Sequence, residues 1–160
     1  MAESKRHHDT TGDEELNIKP TNYMVGIDGS EASGRAFQWV LKQVVEKKFP
    51  QLSKVFIIDV LPELEFEVET SSEYQEAKRE LTASLEEYAV VLNEIGVANE
   101  VKLVEGSDDV REALCKQVKE NNIDVLVVGN TGKSNLKRLL LGSVSEYVVR
   151  HAECVVVVVK

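Results

Sequence analysis

"IDVLVVGNTGKSNLKRLLLGS", residues 123–143, decides how this chain folds. Its first seven residues form a nearly continuous apolar run that stops on Gly129. A short run of this kind, bounded by a glycine, reads as a strand buried on both faces. The residues after it look like the phosphate loop of a nucleotide hydrolase, because Gly132-Lys133-Ser134 follows the strand closely. Counting excludes that reading. The pattern G-x-x-x-x-G-K-[ST] needs its first glycine at position 127, which is Val127, inside the strand where no compliant loop exists. The dinucleotide fingerprint G-x-G-x-x-G fails at the same valine. What remains is a longer frame: Gly129 and Gly132 in the turn, then Gly142-Ser143 opening a helix. Glycines there let backbone amides approach a ligand with no Cβ in the way. A helix N-terminus offers free amides and partial positive charge to phosphate, and Lys133, Lys137 and Arg138 add cations nearby. A turn followed by a cap, with no ligand, accounts for the same residues equally well.

Outward from this stretch, strands and helices alternate. "NYMVGID" (22–28) reads as a buried strand ending in the polar turn Asp28-Gly29-Ser30. Ser30 is the expected N-cap of a helix carrying Ala36, Phe37, Val40, Leu41, Val44 and Val45 on one face. "KVFIIDVL" (54–61) is a second apolar strand, followed by an acidic irregular stretch. A long helix then places Tyr74, Ala77, Leu81, Leu85, Tyr88, Leu92 and Ile95 at spacings of three or four, with Gly96 as its stop. "NEVKLVEG" (99–106) reads as a strand with one wetter face, and Ser107 to Asp109 open another helix. Ser143 and Glu146 are expected to form a capping box for a helix running through His151, before "CVVVVVK" closes the chain as a strand. Five Val- and Ile-rich strands alternating with amphipathic helices predict an α/β fold: a single-domain, doubly wound, Rossmann-like parallel sheet with helices on both faces. In such sheets ligands sit beyond the carboxyl ends of strands, where the strand order reverses. The loops after the first and fourth strands meet that description.

Composition sets limits. The chain of 160 residues has a formal charge of −9 and is 42% hydrophobic, ordinary for one soluble domain. The charge is uneven: net −11 over residues 61–112 and +3 over residues 129–160. The total disfavours a nucleic-acid partner, whereas a small anion near the basic segment is compatible with it. No apolar stretch approaches the ~18 residues that span a membrane, and cytoplasmic localisation is expected. Residues 1–19 are polar and aperiodic, lack the apolar core of a signal peptide, and are expected to form a flexible leader to a domain over 20–160. His7 and His8 in it read as part of a solvated tail. Cys115 and Cys154 lack CxxC spacing and fit a reduced protein. Cys115 reads as a small core residue.

At the glycine frame a resemblance becomes specific. Gly129, Gly132, Gly142 and Ser143 match G-x2-G-x9-G-[ST] without a gap, the ATP-binding signature of the universal stress protein family. "NLKRLLLGSVSEYVVRHAECVVVVV" resembles that family's C-terminal half, and "VGIDGSEASGRAFQWVL" resembles its opening strand and helix. The likeness covers residues 20–160. It implies a five-stranded parallel sheet in the order 3-2-1-4-5, with an ATP, with or without Mg2+, held at the switch point. Carried over by position, Asp28 would contact the ribose side with Ile27 beside it. Val60 would line the adenine pocket, and the backbone at Val128 and Gly129 would approach base and sugar. Gly132, Gly142 and Ser143 would hold the phosphates, followed by Val144 and Ser145. The chain departs from the family where an "A-P-C-P" run is common, reading Ala152-Glu153-Cys154-Val155. It departs again at Asp59, where many members carry histidine.

Three functions compete. The first is a nucleotide-binding stress-response module whose occupancy switches its protein partners, with no catalytic and no metal-ligating residues of its own. The second is a slow ATP hydrolase or a nucleotide-using transferase. An efficient hydrolase needs a positioned base and usually a metal-holding carboxylate. Near the glycine frame the only acid is Glu146, which the expected capping box occupies, so the first reading is favoured. The third is a dimeric scaffold without ligand, against which the intact glycine spacing counts. An all-valine strand at 155–159 would be a hazardous exposed edge unless paired. The family precedent, antiparallel pairing of this strand across a two-fold axis, implies a homodimer.

Overall fold

A computed structural model describes residues 20–47, 50–62, 71–107, 109–131 and 141–160. The expected leader 1–19, most of the acidic stretch after the second strand, and Gly132, Lys133, Lys137 and Arg138 lie outside the described residues. The elements run β1 (Thr21–Gly26), α1 (Glu31–Val45), β2 (Ser53–Pro62), α2 (Ser72–Glu94), β3 (Ala98–Ser107), α3 (Val110–Glu120), β4 (Val125–Gly129), α4 (Ser143–His151) and β5 (Val155–Val159), with a short 3-10 turn at Pro50–Leu52. All strand pairs are parallel and the sheet order is β3-β2-β1-β4-β5, the order expected.

Period-two alternation within the strands sorts side chains into two cores. Val25, Ile57 and Val127 lie in register across the sheet and are fully buried. They face α1 and α2, which contribute Phe37, Val40, Leu85 and Leu92. The intervening Met24, Phe56, Ile58, Leu126 and Val128 face the opposite way, against Ala113, Leu114 and Val118 of α3 and Val148 of α4. Phe37 and Tyr88 meet edge to face at 4.7 Å and tie α1 to α2, a geometry worth roughly 0.5–1.5 kcal/mol beyond burial. Cys115 and Cys154 are half-buried against the second core, and burial raises both thiols above their ordinary range.

Two expectations about the helices change. Val45 is 54% exposed, because the stripe of α1 closes on Val44 and the next residue turns about 100° away from it. Ile95 is 42% exposed for a related reason: α2 ends at Glu94, and Ile95 is its cap rather than part of the stripe. Gly96 follows at φ 71°, the left-handed stop the sequence suggests.

One glycine sets the spacing between layers. A Cβ built on Gly129 would lie 2.7 Å from the carbonyl carbon of Ala32 and 2.8 Å from its Cβ, so the end of β4 touches the first turn of α1. Gly34, by contrast, sits inside α1 with nothing within 4 Å of an added Cβ. Gly129→Ala should therefore lower stability by about 2 kcal/mol or more through overpacking. Gly34→Ala should raise it by about 0.5–1 kcal/mol by stiffening the unfolded chain. Urea midpoints of the two variants check this, and a fully stable Gly129→Ala protein would contradict the packing of α1 on β4.

Candidate functional site

After β1 the chain turns toward α1, and after β4 it turns toward α4 on the other face, so the two loops part over the carboxyl ends of the central strands. The crevice they leave is a cleft of about 310 Å³, within the range of small-molecule sites.

The first wall is the turn Ile27-Asp28-Gly29-Ser30. Ile27 extends the ladder by donating its N–H to the Ile58 carbonyl at 2.8 Å. The Asp28 carboxylate accepts the Ser30 N–H at 2.9 Å, a local turn that Gly29 makes feasible at φ 75°. Ser30 then caps α1, accepting the Ser33 N–H at 3.1 Å, while the Ser33 hydroxyl donates back to the Ser30 carbonyl at 2.9 Å. This cap is the one the sequence predicts.

The second wall joins β4 to α4, and here the expected capping box is absent. The N-cap is Gly142, with no side-chain cap, and Ser143 is the first helical residue. Glu146 pairs with Arg150 at 2.8 Å instead of reaching back. The reason is the local frame. Gly142 donates its N–H to the Asn130 carbonyl at 2.6 Å, and a Cβ there would stand 3.2 Å from that oxygen. The Ser145 hydroxyl is buried and points at the carbonyls of Gly142 (2.9 Å) and Asn130 (3.2 Å). With a glycine cap, the first-turn amides of Ser143, Val144 and Ser145 remain donors at the positive end of α4. Gly129, read from sequence as freeing room for a ligand, gives that room to α1.

Between these walls the cleft is apolar, lined by Ile58 and Val60 of β2, Val128 of β4, and Val110 and Leu114 of α3. Every described residue expected at the site, from Ile27 and Asp28 through Val60, Val128 and Gly129 to Gly142, Ser143, Val144 and Ser145, borders this one space. Further contributions were not read from sequence as site residues. Asp59 lines the cleft, its carboxylate accepting the N–H of Val60 at 2.7 Å. Leu114 and Val110 arrive from α3, where their stripe reads only as core. Asn130 borders the cleft with its side-chain Oδ1 buried and unpartnered, a situation that costs roughly 1–3 kcal/mol. A polar residue directly after a strand end was the available signal for it.

The helix ends that frame the cleft are anchored electrostatically. The Asp109 carboxylate caps α3 through the Arg111 N–H at 2.8 Å and grips the Arg111 guanidinium at 2.6 Å. That guanidinium holds the Asp109 carboxyl down at about 2, and it lies 5.0 Å over the Tyr147 ring of α4. Because the folded value is depressed, this anchor is present above the ordinary carboxylate range and is lost only as pH falls through about 2. At the far end, Lys78 at 2.8 Å and the Tyr74 hydroxyl at 2.7 Å hold Glu105 and keep its carboxyl below the usual range, fastening α2 to β3. Among the described residues, no group of three or more His, Cys, Asp or Glu could hold a metal ion. No described helix is long and apolar enough to cross a membrane.

Comparison with known proteins bears on this cleft. The sequence model of the universal stress protein family matches residues 21–160. Universal stress protein MJ0531 of Methanocaldococcus jannaschii is 30% identical over 140 residues, covering 86% of this chain and 80% of that protein. Among solved structures, hypothetical protein MJ0577 is similar with TM-score 0.73 and 26% identity, over 89% of this chain and 97% of its own. A universal stress protein family protein from Arabidopsis thaliana, solved with AMP bound, is similar with TM-score 0.62 and 28% identity, over 88% of this chain and 92% of its own.

The junction of β4 with α4 is measurable by itself. Ser145→Ala removes the hydroxyl but leaves the Asn130 and Gly142 carbonyls their backbone donors, Gly142 and Glu146. The expected loss is about 1 kcal/mol, read as a lower urea midpoint with an unchanged slope. No loss would show that the hydroxyl does not brace the junction.

Proposed function

The chain belongs to the universal stress protein family, and from that premise we propose that its cleft binds an adenine nucleotide, ATP foremost. The base lies in the apolar slot beside Val60 and Val128. The ribose faces Asp28 and Ile27, and the backbone at Gly129 runs past base and sugar. The phosphates meet the amides of Ser143, Val144 and Ser145 behind Gly142. Gly132 completes the phosphate frame, and Lys133, Lys137 and Arg138 serve as accessory cations. One observation carries the reading: α4 begins at a glycine with no side-chain cap, directly beside the apolar part of a cleft of about 310 Å³. A helix end left open in this way suits an anion. The AMP-bound Arabidopsis relative supports the choice of adenine nucleotide.

We read the nucleotide as a switch for interactions with protein partners in a stress response, and not as a substrate. Among the described residues, Glu146 is paired with Arg150, and the Asp28 carboxylate already accepts the Ser30 N–H. A hydrolase would need such a group turned toward an attacking water. The protein works in this reading as a homodimer through β5. That strand is bonded to β4 on one side only. Val155 donates its N–H toward the Asp124 carbonyl, so by alternation the peptide groups of Val156 and Val158 point to the outer edge. They are the groups that an antiparallel second copy would pair.

Calorimetry with ATP, ADP and AMP, with and without magnesium, tests the site. Gly142 has φ −78° and ψ 166°, compatible with a following proline. Ser143→Pro therefore deletes one amide donor at a position where helices accept proline. The expected outcome is about tenfold weaker nucleotide binding, or roughly 1.4 kcal/mol, with little change in Tm; unaltered affinity would remove the phosphates from α4. Phosphate release measured on the same samples separates a switch from a hydrolase. For the assembly, sedimentation at micromolar concentration should show a dimer, and Val156→Pro should give a folded monomer by blocking the outer edge. A wild-type monomer would refute the pairing.

A further inference from the structure

The nucleotide reading leaves one cleft residue without a task. Asn130 follows β4 directly, and its backbone is fully committed. Its N–H donates to the Val159 carbonyl at 2.8 Å, and its carbonyl accepts the Gly142 N–H at 2.6 Å and faces the Ser145 hydroxyl at 3.2 Å. These bonds fix where the side chain begins but use none of it. The carboxamide Oδ1 is buried without a hydrogen-bond partner, and among the described residues Nδ2 makes no hydrogen bond either. A serine, alanine or glycine would serve the turn without burying an unmet acceptor. The protein thus carries a cost at Asn130 that the fold does not return.

Position says what returns it. Val128, two residues earlier, borders the base slot, and Gly142, bonded to Asn130, begins the helix that faces phosphate. Asn130 stands between them, at the level of the sugar. We infer that Asn130 reads the sugar: its side-chain Oδ1 accepts the hydrogen of a ribose hydroxyl of the bound nucleotide and selects ribonucleotides over deoxyribonucleotides. A ribose hydroxyl donates one hydrogen, which a carboxamide oxygen can accept. A deoxy sugar leaves that buried oxygen unpaired, and sites built to bond a hydroxyl discriminate strongly for this reason. The inference rests on the adenine-nucleotide reading of the cleft, and Asp28 stays in place beside the sugar as a separate group.

The test is calorimetry of AMP, 2′-deoxy-AMP and 3′-deoxy-AMP against wild type, Asn130→Ala and Asn130→Ser, with Tm of each ligand-free protein. Wild type should prefer AMP about tenfold over at least one deoxy analogue. Asn130→Ala should lose most of that preference while its ligand-free Tm stays level or rises, since the unmet acceptor is gone. Asn130→Ser, which keeps a small polar side chain and all the backbone bonds, provides the same comparison should the alanine protein fold poorly. A preference kept in both variants, or a ligand-free Tm that falls in both, would overturn the assignment and make Asn130 a structural residue. Equal binding of all three nucleotides by wild type would overturn it while leaving the nucleotide site standing. Failure of wild type to bind any of them would overturn both.

Discussion

The contact of Gly129 with Ala32 governs the rest of this molecule. With no side chain at the end of β4, the first turn of α1 settles directly on the strand. That contact places the Asp28-to-Ser30 turn at a set height above the sheet. The opposite wall is placed from the same strand end, because Asn130 holds Gly142 and thereby the start of α4. The cleft is therefore built from a single point, and both its walls are referenced to β4. A side chain at that point would press on the first turn of α1, which carries one wall of the crevice.

Much of this was legible in the residue pattern, for reasons that can be named. Four of the five strands are apolar runs too short for helices and too apolar for a half-wet sheet, and the fifth, β3, alternates as an edge strand does. The helix stripes follow the 3.6-residue period closely enough to identify Phe37, Leu85, Leu92 and Leu114 as core. Ser30 is a good cap in a good place, and it caps. What failed was fine local choice. Ser143 followed by Glu146 has the chemistry of a capping box, but the close approach of Gly142 to the Asn130 carbonyl moves the cap back by one residue. A four-residue pattern cannot contain that approach, because its partner lies twelve residues upstream of Gly142. The same limit hid Asp59, Val110 and Asn130, whose place at the cleft depends on which strands are neighbours. Gly129 was recognised as special, but the neighbour that makes it so is a helix from the other end of the domain.

Chemically, the two walls of the cleft present mostly backbone. One side is a helix start without a capping side chain, the other is the tight turn after β1, and the space between them is aliphatic. Peptide dipoles held this firmly need little reorganisation to meet charge. The acidic bulk of the chain lies elsewhere, net −11 across residues 61–112 against +3 across 129–160.

The bond from Asn130 to Val159 has a further meaning. It links the floor of the cleft to the last residue of β5, which is also the free margin of the sheet. Cleft and margin are thus joined by one main-chain hydrogen bond. Thermodynamic linkage requires that whatever a ligand does to the margin, a partner on the margin does to the ligand in equal measure.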